Sequence, residues 1–269
     1  MFSGVLKALA RIRVTAAYAV ILAGVTATLV ALGPQVQDRV IRHASTNLHN
    51  LSHGHLGTLL VSAFVNEAGP VFVWLPGLVC LLALAELLWR SRGLVVAFAV
   101  GHLGATLLVA VGLTVAVEFG WLPMDITRAT DVGMSYGASA VLGSLGAAVA
   151  SRWRPAWTGW WLGLAVAAAV LGRDFTDAGH AVALVLGFLV STRYAPTARW
   201  TPMRYLLLVV ASAFGFLMLA NSGLTLVVAS WLGFVGAACA EIVFGRRKAR
   251  RAAAYETADA ERAVTSGIA

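Results

Sequence analysis

"DVGMSYGASAVLG", residues 131–143, interrupts a chain otherwise dominated by leucine, valine and alanine. Ser135, Ser139, Gly143 and Ala147 step by four, so on a helix they form one stripe of small residues. Stripes of this kind let two membrane helices pack with their backbones close together. A serine in such a stripe is either a packing residue, bonded back to a carbonyl one turn earlier, or a nucleophile. The choice depends on what the remainder of the chain brings to the same place.

The surroundings are those of a polytopic membrane protein. Of 269 residues 59% are hydrophobic and 12% charged, and the mean hydropathy is +0.82, far from the balance of a water-soluble domain. A formal net charge of +8 does not point to nucleic acid, because the basic residues cluster in alternate loops between apolar runs. About 20 mostly apolar residues cross the hydrocarbon core as a helix. On that criterion the spans are 16–33, 71–89, 93–117, 130–150, 156–172, 178–195, 203–220 and 223–244, the last two separated by "ANSG". Lys7, Arg11 and Arg13, then Arg90 and Arg92, Arg152 and Arg154, Arg193, Arg199 and Arg204, and finally "GRRKARR" fill one set of loops. Most acids, including Asp38, Glu67, Glu118, Asp125, Asp131, Asp174 and Asp177, fill the other. The positive-inside rule then places both termini in the cytoplasm, and the expected location is the bacterial plasma membrane. Cys80 and Cys239 fall inside spans and suggest no disulfide framework.

A second polar punctuation begins the sixth span, "DFTDAGHAVALVLG" (174–187). His180, Ala183 and Gly187 form its small-residue stripe. In the deduced topology the fourth and sixth spans enter from the same side, which puts Ser135 and His180 at about the same depth. If the two stripes face each other, the hydroxyl and the imidazole come within the roughly 2.6–3.2 Å that proton transfer requires, and the histidine can activate an otherwise poor nucleophile. Asp131 and Asp177 either orient that histidine or cap their helices, and capping is the expected role.

Other polar groups read as structural. Glu86 and Arg90 are spaced as an i, i+4 pair, worth a few tenths of a kcal/mol. His102 lies mid-span between Gly101 and Gly104, where a packed neutral imidazole is expected over a proton relay. His49 and His53, in "RHASTNLHNLSHGH" (42–55), have a metal-compatible spacing but no third ligand beside them. An interfacial amphipathic segment is expected there, with no metal and no cofactor. Trp121, Trp153, Trp157, Trp160 and Trp161 read as anchors at membrane borders. A transporter or channel would carry ionisable groups deep along a pathway, and here only His102 is deep.

These residues together resemble the rhomboid family of intramembrane serine proteases, and within it an actinobacterial-type rhomboid-like branch with "STNLHNL" (45–51) and the "DVGMSYG" feature. Gly133-Met134-Ser135 is similar to the family's nucleophile motif, with Gly143 eight residues on; His180 to Gly187 matches its His-to-Gly spacing. "TLLVSAF" (58–64) and Glu86 with "WRSRGLVVAF" (89–98) resemble its first loop and its second-to-third span junction. The resemblance covers about residues 16–195. It implies an all-α, rhomboid-like six-helix core, here followed by a C-terminal helical hairpin: 1–15 cytoplasmic, 16–200 core, 201–246 hairpin, 247–269 basic tail. It also implies a Ser135–His180 dyad that cleaves transmembrane helices of membrane-protein substrates within the lipid bilayer, with Gly133 and Met134 supporting the oxyanion motif and Gly143 and Gly187 packing the helices. Two departures stand out. Tyr136 replaces the glycine after the nucleophile, and "GPVFVWLPGLV" (69–79) offers neither the His nor the Asn that the family carries on its second span. Ser139, in "GASA", is the rival nucleophile. The alternative is a catalytically inactive member that binds transmembrane partners.

Overall fold

The computed structural model describes residues 9–66, 71–172, 174–196, 199–220 and 223–266, with side chains from 73 onward in the second span and up to Arg246 in the last helix. Lys7, Glu67, the "NS" of the 220–223 turn and the side chains of the tail beyond Arg246 lie outside the described residues. Among the described residues there is no strand. The principal helices are α1 (Arg13–Leu32), α2 (Pro34–Ala44), α3 (Leu48–Ser52), α4 (Thr58–Val61), α5 (Val71–Glu118), α6 (Ser135–Ser144), α7 (Arg154–Gly172), α8 (Phe175–Ser191), α9 (Pro202–Leu219) and α10 (Gly223–Ser266).

Among the described residues five helices are long and apolar enough to cross a membrane, so the chain is an integral membrane protein. At 1.5 Å per residue the 48 residues of α5 would extend about 72 Å as a straight rod, more than twice the hydrocarbon thickness. The helix is broken at Arg90, with φ 61° and ψ 176°. Its limbs, 71–89 and 91–118, are the expected second and third spans, and both lie against α1: Glu86 bonds to Val14 and Thr15, while Phe98 packs on Tyr18.

The stretch expected as the fourth span, 130–150, holds a shorter helix than its hydropathy suggests, and it is not one of the five. Residues 131–133 are not helical, and the α-helix gives way to a 3-10 turn over Leu145–Ala147. The reason is shielding. Every residue from Tyr136 to Ser144 is buried, so α6 meets protein on all sides and needs no lipid-facing length. Its alanines and glycines permit the close approach of α5 and α8. A β-carbon on Gly101 would strike Ala140, and one on Gly137 would stand 2.6 Å from the Phe98 ring. Gly143 and Gly187 face each other across the α6–α8 seam, where a β-carbon on Gly143 would lie 2.5 Å from the Leu184 carbonyl oxygen and 3.3 Å from the Gly187 Cα.

Glu86 does not pair with Arg90. Buried to 2% exposure, its carboxylate accepts from the Val14 and Thr15 amides at 3.0 and 2.8 Å, from the Thr15 hydroxyl at 2.8 Å and from the Ser91 hydroxyl at 2.7 Å. It thereby satisfies two of the unpaired first-turn donors of α1. Trp161 likewise departs from an anchoring role: it is 1% exposed and packed in the core. The C-terminal helices dock on this core. Gly159 and Gly163 of α7 meet Gly236 and the Leu232 carbonyl of α10 backbone to backbone, and Gly77 of α5 lies 2.6 Å, at β-carbon reach, from Phe214 of α9.

Candidate active site

A cavity of about 830 Å3 lies where α6 and α8 begin, and both Ser135 and His180 line it. Ser135 is the first residue of α6 and is half-buried. His180, one turn into α8, is 8% exposed, and neither ring nitrogen has a hydrogen-bond partner. The two side chains share a cavity but are not hydrogen-bonded to each other.

The face of α6 turned toward α8 carries Tyr136, Ala140 and Gly143, in place of the expected Ser135–Ser139 stripe. The Tyr136 ring meets His180 edge-on, with centroids 5.4 Å apart and planes at 79°. Its phenol lies across Gly179, where a β-carbon would collide with it. A tyrosine fits at this contact because Gly179 leaves room for it, so Tyr136 is the α6 side chain in ring contact with the imidazole. Ser139 is wholly buried, with an unpaired Oγ, and does not line the cavity.

The strand-like approach to α6 is fixed by the first loop. The Asp131 amide donates to the Ser45 hydroxyl at 2.9 Å; the Thr46 amide and hydroxyl donate to the Asp131 carbonyl at 2.9 and 3.0 Å; the same hydroxyl lies 3.1 Å from the Asp131 carboxylate. Asp131 is thus a loop clamp, not a helix cap, and "STNLHNL" is its counterpart. Burial raises the Asp131 carboxyl to about 6, against the opposing pull of the Thr46 hydroxyl and of His180. Gly133 follows with φ 120° and donates its amide to the Ser62 carbonyl at 2.8 Å. A side chain there would be strained by the positive φ. Met134 is buried and lines the cavity. The first bond of the α6 ladder runs from the Ala138 amide to the Met134 carbonyl, so the amides of Ser135, Tyr136 and Gly137 belong to the turn whose donors have no intrahelical acceptor.

At α8 the cap is Asp174, whose Oδ1 accepts from the Thr176 amide at 3.0 Å. Asp177 is left free for another role: it is 6% exposed, and its Oδ1 is 3.8 Å from His180 Nδ1. Asn66, which sequence reasoning passed over, also lines the cavity, its Oδ1 3.3 Å from the position a β-carbon on Gly133 would take. The only signal for it was a polar residue between "TLLVSAF" and the second span.

The remaining candidates lie elsewhere. His102 Nε2 sits 3.2 Å from the Ser62 hydroxyl and 3.1 Å from the Leu59 carbonyl, tying the third span to the first loop. The His49 and His53 rings pack with centroids 4.4 Å apart on an exposed turn. Among the described residues no group of three or more His, Cys, Asp or Glu is placed to hold a metal ion.

Comparison with known proteins places this arrangement. The family described as rhomboid-like protein matches residues 10–193. The chain belongs to the rhomboid-like family. No curated protein and no solved structure matches it. The matched rhomboid-like region contains α1 to α8 and so holds both Ser135 and His180, while α9 and α10 follow it.

Proposed function

We propose that this rhomboid-like protein is an intramembrane serine endopeptidase that cleaves transmembrane helices of other membrane proteins. The observation that carries the reading is that Ser135 and His180, from separate helices, line one cavity, whereas the rival Ser139 does not. Ser135 Oγ attacks the scissile carbonyl carbon as its proton passes to His180 Nε2. The C–N bond then breaks and the same proton goes to the leaving amine. Water, activated in turn by His180, releases the acyl group. The developing oxyanion is held by the first-turn amides of α6, and the Asn66 side-chain amide takes the part that no second-span His or Asn fills. With both termini in the cytoplasm of a bacterial plasma membrane, the cavity faces the outer side.

The test is cleavage of a tagged single-span substrate in proteoliposomes. Wild type and Ser139→Ala cleave; Ser135→Ala and His180→Ala do not. Equal cleavage by all four refutes the dyad.

A second reading, a non-catalytic member that binds transmembrane partners, is favoured by Tyr136, whose ring is in contact with that of His180. It predicts that wild type neither cleaves nor labels at Ser135 with a serine-reactive phosphonate while partner spans still co-purify.

A further inference from the structure

Asp177 holds the expected place in the first turn of α8, where an acid complements the helix dipole, but the side-chain cap hydrogen bond is made by Asp174, and Asp177 is buried without one. Burying a carboxylate is costly unless a partner compensates, and the geometry names one. Asp177 Oδ1 is 3.8 Å from His180 Nδ1, and its Oδ2 is pressed against the Gly172 backbone at the end of α7, where a β-carbon would overlap it. Gly172 therefore leaves just enough space for the carboxylate to lie beside the ring. Asp177 and His180 are one turn apart on a single helix, so their relation is fixed by α8 itself and not by loop placement.

We infer that Asp177 is a positioning residue for His180: its carboxylate accepts the Nδ1 proton of the neutral imidazole, leaving Nε2 unprotonated and able to take a proton, and stabilises the imidazolium formed when the serine proton is taken up. This rests on the proposed protease reading for its consequence, and the site works as a Ser135–His180–Asp177 relay in which the aspartate never takes the proton. At 3.8 Å the pair stands within ion-pair distance and short of a hydrogen bond.

Other groups facing His180 are few. Tyr136 of α6 touches its ring. The Asp131 carboxylate, in the loop before α6, is near enough for its charge to interact with the imidazole. Asp174 caps the same helix and lines the same cavity. The cavity residues of α9 and of the first limb of α5 are Phe214, Leu217, Met218 and Trp74, none of them titratable. Asp177 is the one acid within ion-pair distance of the ring among the described residues.

The experiment is an NMR measurement of the histidine tautomers of the full chain in micelles with isotopically labelled histidine, His180 being assigned from the signal lost in His180→Ala. In wild type the neutral ring is the Nδ1–H tautomer; a neutral Nε2–H tautomer overturns the inference with no aspartate variant needed. In Asp177→Asn that tautomeric preference weakens, whereas Asp177→Glu retains most of it. An unmoved tautomer ratio in Asp177→Asn, or an equal change in Asp131→Asn, overturns it as well. Where cleavage is measurable, Asp177→Asn lowers the plateau rate at least about tenfold. A wild type with the expected tautomer that cleaves nothing refutes the protease reading and leaves this one standing.

Discussion

Gly143 carries the sharpest test of how the site is built. Replacing it with alanine puts a methyl group 2.5 Å from the Leu184 carbonyl oxygen, 3.3 Å from the Gly187 Cα and 3.3 Å from the Phe188 amide nitrogen. All three are backbone atoms of α8, so no side chain can swing aside. Ordinary contact at 3.4 Å or more requires the α6–α8 seam to open by about 1 Å along its length. Overpacking of this kind typically costs about 1–3 kcal/mol, and in a chain of this size each kcal/mol shifts the melting temperature by roughly 2–4 °C. We expect Gly143→Ala to melt on the order of 5 °C below wild type in detergent. The control is Gly24→Ala on α1, which meets nothing within 4 Å and should be neutral or stabilising by up to about 1 kcal/mol, since alanine is the better helix former. On the proposed endopeptidase reading, Gly143→Ala should also depress cleavage under conditions where it remains folded, because the seam joins the helices bearing Ser135 and His180. A Gly143→Ala protein that melts with the Gly24→Ala control would refute the packing argument.

Three further outcomes follow from the structure. Glu86→Ala leaves the buried Thr15 amide and hydroxyl and the part-buried Val14 amide and Ser91 hydroxyl without their acceptor and should destabilise by about 3 kcal/mol, measured by thermal melting; a loss of only a few tenths would restore the i, i+4 reading. Arg90→Gly should stabilise by about 1 kcal/mol in the same assay, because φ 61° with ψ 176° is a conformation that glycine alone adopts without strain. Asp131→Asn should gain stability at pH 7.5 but not at pH 4. The sign follows from a folded-state carboxyl raised to about 6: the native loop favours the neutral acid, so wild-type stability falls as pH rises from the ordinary carboxylate range through about 6, by at most about 3 kcal/mol. A difference between the two proteins that does not grow with pH would contradict this origin.

Most of the long apolar helices were legible because hydropathy is a local property, and the break between 71–89 and 91–118 was legible from the arginines at 90 and 92. What was not legible has a common cause: it depends on partners far away in sequence. Glu86 finds its donors 71 and 72 residues upstream, beyond any helical periodicity. The length of α6 was overestimated because hydropathy cannot tell lipid from a surrounding wall of protein. The face of α6 was misassigned for a subtler reason. Four-residue spacing marks the small-residue stripe through Ser135 and Ser139, but Gly179 on the opposing helix turns bulky Tyr136 into a contact residue. Complementarity between two helices is a property of the pair and not of either sequence.

The same reasoning extends to the two helices that follow the family region. Phe214, Leu217 and Met218 of α9, beyond residue 193, form one wall of the cavity that holds Ser135 and His180. Phe214 is seated on Gly77 of α5, a contact close enough that any side chain at 77 would displace it. On another flank α10 is locked to α7 through Gly159, Gly163 and Gly236, whose backbones touch. Small residues of this kind let the backbones of neighbouring membrane helices approach closely. The cavity is lined by α9 on one side, by the start of α8 on another, by Trp74 of the first limb of α5 and by the loop residues before α6. On the proposed endopeptidase reading, α9 touches whatever enters beside Ser135 although it lies outside the matched region, so substitutions at Leu217 and Met218 would alter which sequences are cleaved without touching Ser135 or His180.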